Sequence, residues 1–303
     1  MKAVQQPVKA STSLLPELRE GQSIELLKEL HILTREGKLN QDSRRKLKQV
    51  NHLYQFIEKL LNELTTGTGT ASVGADADAS AKSITVADHG AGKSYLGFIL
   101  YDLFFRQRHE GWIYGVETRQ ELVQKSRLLA AQLGFTRMSF LDLSVSESTE
   151  SDLLPARIDV VTALHACDTA TDDAINFGLR KQARYMVLVP CCQAEVARVL
   201  NAGKALSLSR TSLSELWRHP LHTREMGSQL SNVLRCLYLE ASGYQVTVTE
   251  LVGWEHSMKN ELIIARYTGQ RKQNAANRMR EILEQFGLEE LTRTRFALLA
   301  PAV

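Results

Sequence analysis

Val86-Ala87-Asp88-His89-Gly90-Ala91-Gly92-Lys93 is an apolar run that ends on an acid and passes at once into two glycines. Glycines at a strand-to-helix turn let the backbone approach a ligand closely, because no Cβ intervenes. Three ligand chemistries compete for such a turn. Gly92-Lys93-Ser94 matches the end of a phosphate loop, G-x-x-x-x-G-K-[ST]. The first glycine of that pattern falls on Ala87, inside the strand, and Asp88 would place a carboxylate beside the phosphates. The dinucleotide pattern G-x-G-x-x-G meets Tyr95 at its third glycine.

The third chemistry asks for acids, not for anion-binding donors. Asp88 stands just before the glycines, and Gly115-Val116-Glu117 puts a second carboxylate about 25–30 residues further on, where the ribose acceptor of a Rossmann-like unit belongs. Asp142 follows a third strand in Phe140-Leu141-Asp142-Leu143. Helix capping explains any one of these acids but not three at successive strand ends. S-adenosylmethionine carries a sulfonium, an ammonium and a ribose diol but no phosphate, so carboxylates suit it. Asp88, Gly90, Ala91, Gly92, Glu117, Asp142 and Leu143 are the cofactor-binding candidates, with Glu117 on the ribose hydroxyls and Asp142 facing the adenine amine.

Outward from this turn, strand and helix signals alternate. Strands are expected at Ile84–Ala87, Trp112–Val116, Met138–Leu141, Ile158–Ala163 and Tyr185–Val189, with helices at Tyr95–Arg108, Glu121–Leu133, Thr171–Lys181 and Ala194–Asn201. That rhythm predicts a parallel sheet covered on both faces. Leu213–Ala241 reads as helical and broken near Pro220. Gln245–Val252 and Glu261–Tyr267 are separated only by Gly253–Asn260, too short for a crossover helix, so this last pair is antiparallel. A dehydrogenase sheet ends instead on a parallel strand.

Before the sheet, Leu47, Val50, Tyr54, Ile57, Leu61 and Leu64 recur three and four apart, the stripe of an amphipathic helix, with Asp42 or Ser43 as its cap. Residues 1–66 are read as a helical segment, 67–82 as a flexible linker of small polar residues, 83–270 as the α/β domain and 271–303 as a helical tail. The chain has 303 residues, 44% of them hydrophobic, and a net charge of +3, too small to establish nucleic-acid binding by itself. Its four cysteines include the adjacent Cys191 and Cys192, which suits reduced thiols better than a disulfide framework. Met1–Lys9 lacks a signal-peptide apolar run and no stretch has transmembrane length, so a cytoplasmic protein is expected.

Further motifs bring in a family. His165-Ala166-Cys167-Asp168-Thr169-Ala170-Thr171-Asp172, Pro190-Cys191-Cys192 and Glu255-His256-Ser257-Met258-Lys259-Asn260, together with Asp88–Lys93, make residues 47–267 resemble the methyltransferase domain shared by two groups. These are the acceptor-stem tRNA 2′-O-methyltransferases and the methyltransferase-like and glutathione-transferase-C-terminal-domain-containing proteins. The resemblance implies an α/β, Rossmann-like class I methyltransferase sheet, parallel with a terminal antiparallel hairpin, behind an N-terminal helical segment. The zinc-finger modules of the tRNA enzymes have no counterpart in this sequence, so their tRNA specificity is not implied.

In such a sheet the ends of the fourth and fifth strands flank the transferred methyl group. His165 and Asp168 are the candidate proton acceptors, and Lys259 lies on the segment that faces substrate. A zinc site from His165, Cys167, Cys191 and Cys192 lacks the C-x₂₋₄-C spacing, so no metal is expected. The cysteines are read as packing residues, with covalent pyrimidine chemistry at Cys191 as the competitor. The expected acceptor is RNA, held by Arg44, Arg45, Lys46 and Lys48 and by the C-terminal basic residues Arg271, Lys272, Arg278 and Arg280. Solvated helix faces explain the same charges, and a protein acceptor or a non-catalytic binding module are the alternatives.

Overall fold

The computed structural model describes residues 17–67, 83–164, 168–190, 194–202, 212–251 and 261–296. Two helices come first, α1 (Ile24–Glu29) and α2 (Gln41–Thr66). The cap of α2 is Asn40, whose side chain accepts from Ser43 N at 2.8 Å, so the helix begins ahead of the expected Asp42 or Ser43. It stops at Gly67, whose φ of 68° lies in the left-handed region open to glycine.

The sheet strands are β1 (Thr85–His89), β2 (Trp112–Glu117), β3 (Met138–Asp142), β4 (Val160–Leu164), β5 (Tyr185–Val189), β6 (Tyr244–Glu250) and β7 (Glu261–Tyr267). They lie in the order β3-β2-β1-β4-β5-β7-β6. The first five pair in parallel, while β7 runs antiparallel to both β5 and β6. The expected parallel sheet with a reversed hairpin is therefore present. Its parallel strands are apolar on both faces; β5, Tyr-Met-Val-Leu-Val, is buried throughout.

Between the strands run α3 (Tyr95–Leu100), a π-helical turn (Tyr101–Phe105), α4 (Arg106–Arg108), α5 (Gln120–Gln132), α6 (Val145–Glu150), α7 (Thr169–Arg180), α8 (Glu195–Asn201) and α9 (Pro220–Ala241). After β7 come α10 (Gln273–Gln285) and α11 (Glu290–Thr294). The single helix expected over Tyr95–Arg108 widens at the π turn, where Asp102 is fully buried and accepts Ser23 N at 2.7 Å. That bond docks the N-terminal segment on the sheet helices. Pro220 opens α9 at a position where its missing N–H costs nothing, behind a 3₁₀ turn at Ser212–Trp217.

One core lies on each sheet face. The first joins Leu47, Leu53, Ile57 and Leu61 of α2 to Val86, Leu96, Phe98 and Val187. The second joins β1, β4 and β5 to α7, α9 and α10. Residues 41–66 thus share one core with the sheet. The helix buries its apolar stripe in that core beside Leu26 and Leu27 of α1. Glu63 fixes its carboxyl end, accepting the Tyr185 hydroxyl at 2.7 Å and pairing with Arg266 at 2.9 Å. Among the described residues no helix is long and apolar enough to cross a membrane.

Candidate active site

β1 extends two residues beyond its expected end, so Asp88 and His89 belong to the strand. The chain then turns through Gly90 (φ 62°) and Gly92 (φ 57°), and Ala91 N donates to Val116 O at 3.2 Å, which seats the turn against β2. Gly115 permits that seating. A Cβ there would stand 2.7 Å from the Phe140 ring and 3.6 Å from Ala91 Cβ.

Glu117 ends β2 and is 7% exposed. Its Oε2 accepts Gly92 N at 2.8 Å, so the glycine turn spends an amide on a carboxylate where a phosphate loop would offer it to an anion. Arg119 supplies the remaining bonds, from its backbone N at 3.0 Å, from Nε at 2.9 Å and from Nη2 at 3.1 Å. Burial pushes the Glu117 carboxyl up, and the donors from Arg119 and Gly92 overcome this and hold it below the usual value. Asp142 ends β3 in register with Glu117 and is exposed; Leu143 follows it, half-buried. All seven cofactor-binding candidates thus gather at the carboxyl edge of β1, β2 and β3.

Asp88 is 2% exposed and accepts the Thr162 hydroxyl at 2.7 Å. Burial pushes its carboxyl up to about 7, only partly offset by that hydrogen bond. The folded chain therefore holds this proton more tightly than the unfolded chain, whose ordinary value is 3.8. Stability contributed by this group is present below about pH 4 and is lost as pH rises to about 7. Without ligand, Asp88→Asn should match wild type near pH 4 and exceed it above pH 7 by on the order of 3–4 kcal/mol. Urea melts of the two proteins from pH 4 to 8 check this, and parallel curves would contradict it.

His89 points to the other sheet face, its ring 4.2 Å from that of Phe177, and burial lowers it to about 3, so it stays neutral. Its sequence position beside the glycines gives no hint of this packing role.

The fourth and fifth strand ends meet through Asp168. Its Oδ1 accepts Ala194 N and Glu195 N, both at 3.0 Å, and Oδ2 pairs with Arg198 at 3.4 Å. This carboxylate, expected as a proton acceptor, also caps α8, with two amides on its Oδ1. His165, Cys167, Cys191, Cys192, Glu255, His256, Lys259 and Asn260 lie outside the described residues. Among the described residues Cys236 is the free thiol, pushed up to about 12 by burial and by the Glu261 and Glu240 charges, so it is no nucleophile.

The geometry fits an adenosylmethionine. Gly90 is exposed at the turn, Gly92 lacks a Cβ beside it, and the carboxylates of Asp88, Glu117 and Asp142 at successive strand ends suit a diol and a cation. A sheet in this order with its seventh strand reversed, and this turn at its first strand, defines a Rossmann-like class I methyltransferase fold. Residues 45–199, about half of the chain, match the family model described as a methyltransferase domain, and the chain belongs to that family. Its cofactor is S-adenosylmethionine.

Among curated proteins the chain is similar to a glutathione S-transferase C-terminal domain-containing protein homolog of Drosophila pseudoobscura pseudoobscura. The two are 25% identical over 140 residues, which is 39% of this chain and 24% of the relative, so the match spans about a quarter of that protein's length. Among solved structures it is similar to magnesium protoporphyrin IX methyltransferase of Synechocystis PCC 6803, with 13% identity and a TM-score of 0.42 over 80% of this chain and 94% of that one. A caffeoyl-CoA O-methyltransferase assigned in Staphylococcus aureus gives 10% identity and a TM-score of 0.41 over 81% and 92%.

Proposed function

We propose that the chain transfers a methyl group from S-adenosylmethionine to an RNA acceptor. The observation that supports the cofactor half most is Glu117, buried at the end of β2 with Gly92 N on one oxygen, where a carboxylate meets a ribose diol. Bound there, S-adenosylmethionine supplies a methyl group activated by positive sulfur. Glu117 orients the ribose, Asp142 receives the adenine amine, and Asp88 offers charge for the ammonium. Methyl transfer then needs an aligned acceptor and a group to take its proton. With Asp168 committed to α8, that role goes to His165, and Lys259 is assigned to holding the substrate.

Support for RNA comes from the family resemblance and from charge on α2. Arg44, Arg45, Lys46 and Lys48 are all exposed. Arg44 pairs with Glu17 at 3.2 Å and Arg45 with Asp42 at 3.9 Å, both at the surface, where such pairs contribute little and yield readily to phosphate. The carboxyl end of α2 is fixed at the opposite sheet edge, where Asn62 accepts from Arg108 at 3.0 Å. From there the helix rises past α3, and its basic end stands about 25 Å away along the axis.

The C-terminal cluster does not join this surface. Lys272 and Arg278 both pair with Glu240, at 2.8 and 3.7 Å, and Glu240 lies in the last turn of α9 just before β6 begins. Tyr244 opens β6 opposite Tyr267, whose N donates to Arg184 O ahead of β5. That is the amino edge of the parallel strands, away from the glycine turn. The two basic clusters therefore do not frame one cleft, and RNA binding is assigned to α2 alone.

Reversing Arg44, Arg45 and Lys46 together should weaken binding to a total-RNA pool while adenosylmethionine affinity is unchanged. Each side chain that no longer neutralises a phosphate should lower the slope of log K against log salt by roughly 0.7–0.9. A filter-binding series from low to moderate salt measures this, and an unchanged slope would transfer attention to a protein acceptor.

A further inference from the structure

Arg235 lies within α9, 2% exposed, and the methyl-donor site does not use it. Its guanidinium clasps Asp172 bidentately, Nε to Oδ1 at 2.7 Å and Nη2 to Oδ2 at 2.8 Å. Nη2 also donates to the Asp168 carbonyl at 2.9 Å, and Nη1 to Asn232 Oδ1 at 3.0 Å. Asn232 in turn donates from Nδ2 to Glu261 Oε2 at 2.6 Å.

These partners have one thing in common. Asp168 is the first described residue after β4, and its carboxylate caps Ala194 and Glu195, which open α8 beyond β5. Glu261 opens β7, which runs antiparallel to β5, so it too stands at the carboxyl edge. One guanidinium thus reaches the anchors of all three chain segments at that edge on the acceptor side, directly or through one residue.

Asp168 adds a second observation. Its backbone sits at φ 51°, ψ −120°, a region that disfavours residues with a Cβ and persists only where the surroundings enforce it. The carbonyl bond from Arg235 and the two amide bonds to its own carboxylate are that enforcement. A buried ion pair is often no more stabilising than apolar residues of similar volume, so stability is a weak account of this one.

We propose that Arg235 is a positioning residue for methyl transfer, fixing the ends of β4 and β5 and the start of β7 relative to one another. The proposal rests on reading the carboxyl edge as the methyl-transfer face. It touches no reacting atom, and it leaves the donor side, Asp88 to Glu117, untouched.

Amide hydrogen exchange on the full chain, with adenosylmethionine titration on the same samples, tests it. In Arg235→Lys, which keeps the charge but loses the fork, the Ala194 and Glu195 amides should exchange at least tenfold faster. The Gly92 amide and adenosylmethionine affinity should stay within about threefold of wild type. Asp172→Asn, a milder change in case Arg235→Lys does not fold, should give the same local pattern at smaller amplitude. Unchanged exchange at Ala194 and Glu195 would overturn the proposal. So would acceleration spread equally over β1 and β2, which would make Arg235 a general core residue. A wild-type chain that binds no adenosylmethionine would refute the functional reading instead, while the exchange pattern still decides the coupling.

Discussion

Glu117→Ala should weaken adenosylmethionine binding by about 10- to 150-fold while the domain stays folded, the loss expected when hydrogen bonds to a charged group contribute roughly 1.5–3 kcal/mol. The substitution removes the acceptor for the ribose and frees the Gly92 amide and the Arg119 side chain together. Arg119→Ala should move affinity the other way, by several-fold. In the ligand-free chain its guanidinium holds both Glu117 oxygens and must be displaced before a diol can use them. Its side chain is 61% exposed, so the displacement is cheap, and the expected gain is accordingly small. Calorimetric titration of the two variants against wild type reads both signs. Equal affinities in all three would remove Glu117 from the site.

Asp172→Ala has the largest expected effect on stability. It strands the Arg235 charge in a setting 2% exposed, and breaking a buried pair from one side costs about 3–5 kcal/mol. For a chain of this size the melting temperature should fall on the order of 10 °C. The double change Arg235→Met with Asp172→Leu should recover most of that loss, since it removes the stranded charge and fills the volume. A drop of less than about 1 kcal/mol in Asp172→Ala would mean that the Arg235 charge is satisfied elsewhere.

Local pattern carried most of the fold. Alternating apolar runs and helices marked all seven strands, and the short Gly253–Asn260 connection was enough to reverse the last one. Ends were displaced where capping decided them: Asn40 outcompeted Asp42 and Ser43 because its carboxamide sits three residues before Ser43 N. The short α6 was missed for its lack of an apolar stripe, although Ser144 and Glu147 form a capping box that is readable as S-x-x-E. At the site, the three acids at successive strand ends were legible because each follows its strand directly. Arg119 and Arg235 were not. Arg119 acts on a neighbour two residues away through side-chain geometry, and Arg235 meets Asp172 across 63 positions of sequence. The bonds of Asp168 to Ala194 and Glu195, 26 and 27 positions away, were likewise not legible.

The most direct test incubates the purified chain with adenosylmethionine labelled on the transferred methyl, in parallel with separate RNA, DNA and protein pools. The account predicts label in the RNA pool, released by ribonuclease, absent from the other two, and much reduced in the Glu117→Ala protein. Label in protein alone, or in no pool despite measurable cofactor binding, would contradict it.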